Sequence, residues 1–143
     1  MVPLELVGVR VEIPANTPMV LLREMHGRHR LLPIYIGTPE ASSIHYALEG
    51  VVPPRPLTHD LFVNTLAVLG AEVASVVVTE VRERTYFAEV HLETAGGELV
   101  ISARPSDAIA LAVRCDAPIY ANDELIDEFK DFIENVSPED FGV

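Results

Sequence analysis

The sequence predicts an α+β domain built on a mixed, largely antiparallel sheet of about six to seven strands, with three to four helices, folded as one compact unit. Three observations predict it. Runs that alternate apolar and polar residues with period two follow one another through short turns, as antiparallel strands do, and single helical patterns are interspersed among them. A chain of 143 residues suits one domain with a real core, needing neither disulfide nor structural metal. Charged and proline-containing segments also interrupt every apolar run before the roughly 18 residues of a membrane span, so no such span is expected.

The elements follow in order. LELVGVRVEI (4–13) alternates with period two, PANTP turns the chain, and MVLLREM (19–25) and RLLPIYIG (30–37) are strand-like on either side of an HGRH loop. TPEASSIHYALEG (38–50) reads as a helix with Thr38 as cap, Pro39 at its first position, Glu40 in its first turn and Gly50 past its end. VVPPRP is a stiff connector. THDLFVNTLAVLG (58–70) is a second helix, capped by Thr58 and stopped by Gly70, with Leu61, Leu66 and Leu69 expected on its buried side. Residues 71–94 alternate as strands, AGG turns, and ELVISA (98–103) returns. SDAIALAVRC (106–115) is a third, mostly apolar helix, and PIYA a short strand. NDELIDEFKDFIENV (122–136) reads as an acidic amphipathic helix with Leu125, Ile126, Phe129, Phe132 and Ile133 on its apolar side. The strand and helix start IYI–TPEASSI echoes VIS–RPSDAIAL, which suggests two related strand-to-helix units.

Charge is unevenly spread. The formal net charge is −12, yet residues 116–143 hold nine acids against Lys130, so the first 115 residues carry only −4. REMHGRHR (23–30) groups Arg23, Arg28 and Arg30 with His26 and His29, a pattern of a solvated hairpin tip. The single cysteine, Cys115, cannot form an internal disulfide and sits on an apolar helix as a small buried hydrophobe. The N-terminus lacks the basic start and apolar block of a secretory signal, so a cytoplasmic place is expected.

Chemistry is concentrated at the helix starts. Thr38 with Glu40, Thr58 with Asp60 and Ser106 with Asp107 each offer a cap and an acid at the positive end of a helix, worth roughly 1 kcal/mol and a further 0.3–1 kcal/mol. Neither effect requires a cation, yet Arg55 and Arg104 each precede a proline at the mouth of a helix. Two accounts stay open: local Arg–Asp pairing, or an anion site in which the arginines clamp phosphate. His59, beside a helix N-terminus, supplies a neutral base or a metal ligand. If the helix starts converge, Glu40, Asp60, Asp107 and His59 provide ligands for a divalent cation, and the arginines hold a phosphate. No zinc pattern, P-loop, dinucleotide loop or Gly-x-Ser-x-Gly elbow is present.

LPIYIGTPEA, RPLTHDL and SARPSDAIALAVR followed by PIY resemble the bifunctional nuclease domain family, found in bacteria and plants, over about Leu4 to Tyr120. The resemblance implies a compact, dimeric α+β domain acting on DNA and RNA; the domain is expected over residues 1–121, with residues 122–143 as an acidic helix and tail packed on it. It carries over Glu40, Arg55, His59, Asp60, Arg104, Ser106 and Asp107. The roles assigned to them are Asp60, Asp107 and Glu40 as ligands of Mg²⁺ or Mn²⁺, His59 with the two aspartates as catalytic groups, Arg55 and Arg104 as phosphate clamps, and Ser106 as a cap. The competing expectation is a noncatalytic homodimeric binding module.

Overall fold

The computed structural model describes residues 1–12, 16–131 and 136–140. The first strand, β1 (Val2–Glu12), pairs antiparallel with β2 (Thr17–Glu24), which pairs antiparallel with β3 (Leu31–Tyr35); helices α1 (Thr38–Leu48) and α2 (Thr58–Val68) follow. Strands β4 (Glu72–Arg82), β5 (Thr85–Thr94) and β6 (Gly97–Ala103) form a second antiparallel meander, continued by helix α3 (Pro105–Cys115). The three-residue strand β7 (Ile119–Ala121) lies between the meanders, antiparallel to β1 and parallel to β4. The sheet order is β3-β2-β1-β7-β4-β5-β6, and β8 (Val136–Asp140) pairs with β1 off that path. Each half is therefore a three-stranded meander ending in a helix, which is the topological form of the sequence echo. The domain is α+β with a mixed sheet, as the patterning predicts.

The core forms where the two halves meet. β2 is buried along most of its length, through Met19, Val20, Leu21 and Leu22, and β4 contributes Val76, Val77 and Val78. Helix α3 buries Ala108, Ile109, Ala110, Leu111 and Ala112 against the sheet, its small residues allowing α1 to approach through Ala41 and Ile44.

Three expectations need correction. The N-caps are Gly37, Leu57 and Arg104, with no side-chain cap bond, so Thr38 and Thr58 are the first residues inside their helices and Ser106 the second of its helix. Helix α2 buries no residue fully: Leu61 is 57% exposed and Leu69 74%, while Leu66 packs beside Val63. At about 100° per residue, Leu61 stands about 140° from Leu66, so these leucines do not share one face. His59, Val63 and Leu66 do, and that face turns toward α3. Finally, residues 123–128 form a 3₁₀ helix, not the first turns of an α-helix; Leu125 and Phe129 are buried, Ile126 is partly exposed, and Lys130 pairs with Leu31. The expected positions of Phe132 and Ile133 fall outside the described residues.

The basic cluster 23–30 is neutralised locally. Arg23 pairs with Glu5, Arg28 with Asp131, and Arg30 with buried Glu24 while lying 5.8 Å from the Phe129 ring centroid. The Arg30 hydrogen bond holds the Glu24 carboxyl below its ordinary pKa despite burial. Burial raises the Cys115 thiol pKa, the direction expected of an unreactive cysteine.

Polar contacts anchor α2. The guanidinium of Arg114, 9% exposed, donates Nε to Asp60 Oδ1 at 2.8 Å, Nη1 to the Ala110 carbonyl at 3.0 Å, and Nη2 to both the carbonyl and hydroxyl of Ser43 at 3.2 Å. One side chain thus joins α1, α2 and α3. Asp60 also accepts the Leu57 N–H, closing the first turn of α2.

Two outcomes follow from this packing. Phe129→Ala should cost about 3 kcal/mol in urea unfolding because its ring is buried, whereas Ile126→Ala should cost less than about 0.5 kcal/mol as a surface change. The Arg114 hydrogen bond, chief cause of the shift, depresses the Asp60 pKa below 3.8 in the folded state. Its stabilisation is fully present above the unfolded pKa and is lost as pH falls through the depressed folded value. Asp60→Ala should cost about 2 kcal/mol at pH 7 and should show a shallower acid-induced decline; parallel stability–pH curves for the two proteins would contradict this coupling.

Candidate active site

The site begins at the start of α3. Arg104 is the extended N-cap residue, with φ −71° and ψ 145°, and Pro105 fixes the first helical φ behind it. This lets Arg104 fold over the first turn and grip Asp107 with two bonds, Nε to Oδ2 at 2.8 Å and Nη2 to Oδ1 at 3.2 Å. Its Nη1 reaches across to Glu40 Oε1 on α1 at 3.1 Å. Glu40 Oε2 is buried without a hydrogen-bond partner among the described residues and lies against Gly37, where a Cβ would meet it at 2.8 Å. Glycine in IGTPE therefore makes room for the glutamate. Of the five guanidinium N–H groups of Arg104, three are engaged and two remain for another acceptor.

His59 enters from the first turn of α2 and bridges the other two helices. Its Nε2 lies 2.9 Å from Asp107 Oδ1 and its Nδ1 lies 2.7 Å from Ser43 Oγ. An ionised Asp107 only accepts, so Nε2 carries the proton facing it. In neutral imidazole Nδ1 is then the acceptor for the Ser43 hydroxyl, a tautomer assigned from the bonding network. Burial tends to raise the Asp107 pKa, but hydrogen bonds from Arg104 and His59 outweigh it and hold the carboxyl below 3.8. Those bonds to Asp107, with the Glu40 pair, raise the Arg104 pKa.

Three cavities meet at Arg104. One of about 430 Å³ exposes Ser43, His59 and Asp107 beside Tyr46 and Thr58. A second, about 380 Å³, shares Glu40 and Arg104 and is bounded by Tyr35, Arg84 and Tyr86. The third, about 390 Å³, reaches from His59 and Asp107 to Phe62 and Ile101.

Four of the residues expected from sequence therefore converge: Glu40, His59, Arg104 and Asp107. Asp60 is held by Arg114 and the Leu57 N–H, outside all three cavities. Arg55 is exposed on the connector and makes no hydrogen bond or ion pair among the described residues. Buried Ser106 makes no capping bond. Ser43 and Arg114 were not among the expected residues. Their signals were spacing: Ser43 is one turn beyond Glu40 on α1, and Arg114 is two turns beyond Asp107 on α3.

As arranged, the carboxylates do not make a metal cradle. Among the described residues no three His, Cys, Asp or Glu side chains group to hold an ion. The Arg104 guanidinium bridges Glu40 and Asp107, and Arg114 takes Asp60, so a Mg²⁺ or Mn²⁺ ion would have to displace cations already hydrogen-bonded to its ligands.

Comparison with known proteins places the chain. The family model described as the bifunctional nuclease domain matches residues 20–134. An uncharacterized protein of Mycobacterium tuberculosis is 38% identical over 159 aligned positions that cover 94% of each chain. Bifunctional nuclease 2 of Oryza sativa subsp. japonica is 30% identical across 92% of this chain and 41% of its own length. Bifunctional nuclease 1 of Arabidopsis thaliana is 32% identical across 76% of this chain and 34% of its own length. The family match includes every residue of the Glu40–Ser43–His59–Arg104–Asp107–Arg114 network, and the chain belongs to the bifunctional nuclease domain family.

Proposed function

We propose that the protein is a phosphodiesterase acting on DNA or RNA, with His59 as general base and Arg104 as phosphate ligand. The observation that carries this reading is the His59–Asp107–Arg104 group at the junction of three cavities. Asp107 fixes the imidazole tautomer and stabilises the imidazolium that forms when His59 takes a proton. Arg104 offers its two unspent N–H groups to nonbridging phosphate oxygens, where charge accumulates in the transition state. Arg55, exposed two residues before cavity-lining Leu57, supplies a further phosphate contact along a longer strand. Catalysis on this reading uses the chain's own side chains, because the carboxylates are already bound to Arg104 and Arg114.

The homodimer belongs to the same proposal. Leu61, Phe62, Val68 and Leu69 on α2 and Leu99, Val100 and Ile101 on β6 are exposed, and Phe62 and Ile101 line one cavity together. Among the described residues β6 is also an end strand of the sheet with an unpaired backbone edge. A second copy seated there covers both liabilities at once. No helix among the described residues is long and apolar enough to cross a membrane. A cytoplasmic place is part of the proposal.

Cleavage of single- and double-stranded DNA and RNA, assayed with identically prepared variants, tests the catalytic reading. His59→Ala should lower kcat on the order of 10²–10⁴-fold, and Arg104→Lys should weaken oligonucleotide binding while the fold is retained. Wild-type activity matched by His59→Ala would remove the base. Chelator-stripped protein should stay within about tenfold of the activity it shows with added Mg²⁺ or Mn²⁺, a span of about 1.4 kcal/mol in barrier. A strict metal requirement would return Glu40, Asp60 and Asp107 to the role of ligands. In light scattering the wild type should run as a dimer and a Phe62→Glu, Ile101→Lys double variant as a monomer; a monomeric wild type would refute the interface.

A further inference from the structure

Resting on the phosphodiesterase reading and going beyond it, we propose that Ser43 is the nucleophile and forms a covalent nucleotidyl–serine intermediate. The helices arrange a Ser43–His59–Asp107 relay, with Oγ 2.7 Å from His59 Nδ1 and Nε2 2.9 Å from Asp107 Oδ1. This gives a hydroxyl, a base to take its proton and an acid that orients the base, the arrangement by which a weak serine nucleophile is activated. The order of the imidazole nitrogens, Nδ1 toward serine and Nε2 toward aspartate, follows from bringing the three groups together from three helices.

Two further contacts favour attack over a merely structural bond. Arg114 Nη2 donates to Ser43 Oγ at 3.2 Å, placing a positive charge where negative charge grows as the hydroxyl ionises. The same nitrogen holds the Ser43 carbonyl at 3.2 Å, fixing the residue beneath the base. A serine inside a helix commonly spends its hydroxyl on a carbonyl one turn back; Ser43 instead meets a histidine and an arginine. It lines the cavity of about 430 Å³ together with Arg104.

In the first step Ser43 Oγ bonds to phosphorus and gives its proton to His59 Nδ1, while the P–O bond to the leaving nucleoside breaks with its electron pair going to oxygen. In-line displacement puts that oxygen opposite Ser43, beyond the reach of His59, so it takes a proton from a solvent water. The hydroxide left on that face attacks phosphorus. Ser43 Oγ departs with the proton returned by His59, and the balance is one phosphodiester and one water converted to a phosphomonoester and an alcohol.

Acid quenching of wild-type protein during turnover of an end-labelled oligonucleotide, followed by peptide mass spectrometry, tests the intermediate. Diisopropyl fluorophosphate is a second probe of the same hydroxyl, its P–F bond breaking as Oγ–P forms. The expected result is a nucleotide or diisopropylphosphoryl adduct on Ser43, absent after His59→Ala, and a loss of kcat on the order of 10²-fold or more in Ser43→Ala. If Ser43→Ala stays within about threefold of wild type, against that expectation, or if wild type cleaves substrate yet neither probe marks Ser43, the nucleophile is water and this proposal falls while the nuclease reading stands. If wild type cleaves none of the four nucleic-acid substrates, both fall. The adduct experiments use unaltered protein, so a folding defect in Ser43→Ala does not blunt them.

Discussion

The arrangement depends on one guanidinium. Helices α1 and α3 are held by apolar packing, but α2 contributes only partly buried Val63 and Leu66 to the core, and its position rests on Arg114. That side chain meets an ionised carboxylate on α2, a carbonyl and hydroxyl on α1, and a carbonyl of its own helix. Removing it would deprive the Asp60 carboxylate of its ion-pair partner and sever the polar ties of α2 and α1 to α3. The bond between His59 and Asp107 exists because Arg114 sets the distance between the helices that carry them.

On the phosphodiesterase reading, acidity and phosphate chemistry are reconciled by pairing. The chain is strongly negative, and the arginines of the site are already matched to carboxylates: Arg104 to Asp107 and Glu40, Arg114 to Asp60. Such a site offers directed N–H groups more than net charge. Association with a polyanion should therefore draw little on long-range attraction, and discrimination falls to local geometry around Arg104. The basic cluster at 23–30 adds nothing to this field, since its arginines serve Glu5, Glu24 and Asp131.

Much of this was legible in the sequence because period-two alternation and proline-acid helix starts are local signals. They locate strands β1 to β7, the three α-helices and the residues Glu40, His59, Arg104 and Asp107, whereas Val136, which the pattern makes the end of a helix, opens β8. Local signals fail where partners are distant in sequence. Ser43 is an unremarkable helical serine until α2 brings His59 to it, and Arg114 looks like a C-terminal dipole cation until Asp60 is placed opposite. The apolar face of α2 is not legible in the pattern because its leucines lie on different sides of the helix. Residues 123–128 kept the helical pattern but tightened into a 3₁₀ turn, while Lys130 was drawn into a bridge with Leu31.

The position of β7 has a consequence for how the chain is made. Residues 119–121 join β1 to β4, so the two meanders, complete in their own hydrogen bonding, wait for β7 before sharing a sheet. During synthesis from the N-terminus, β1 must keep one edge open until residues 119–121 have emerged. At about 5–20 residues per second, that interval lasts several seconds. A strand edge held open on a ribosome presents unpaired backbone N–H and C=O groups to the wrong strand of a neighbouring chain, so the late arrival of β7 is the step of synthesis most open to mispairing.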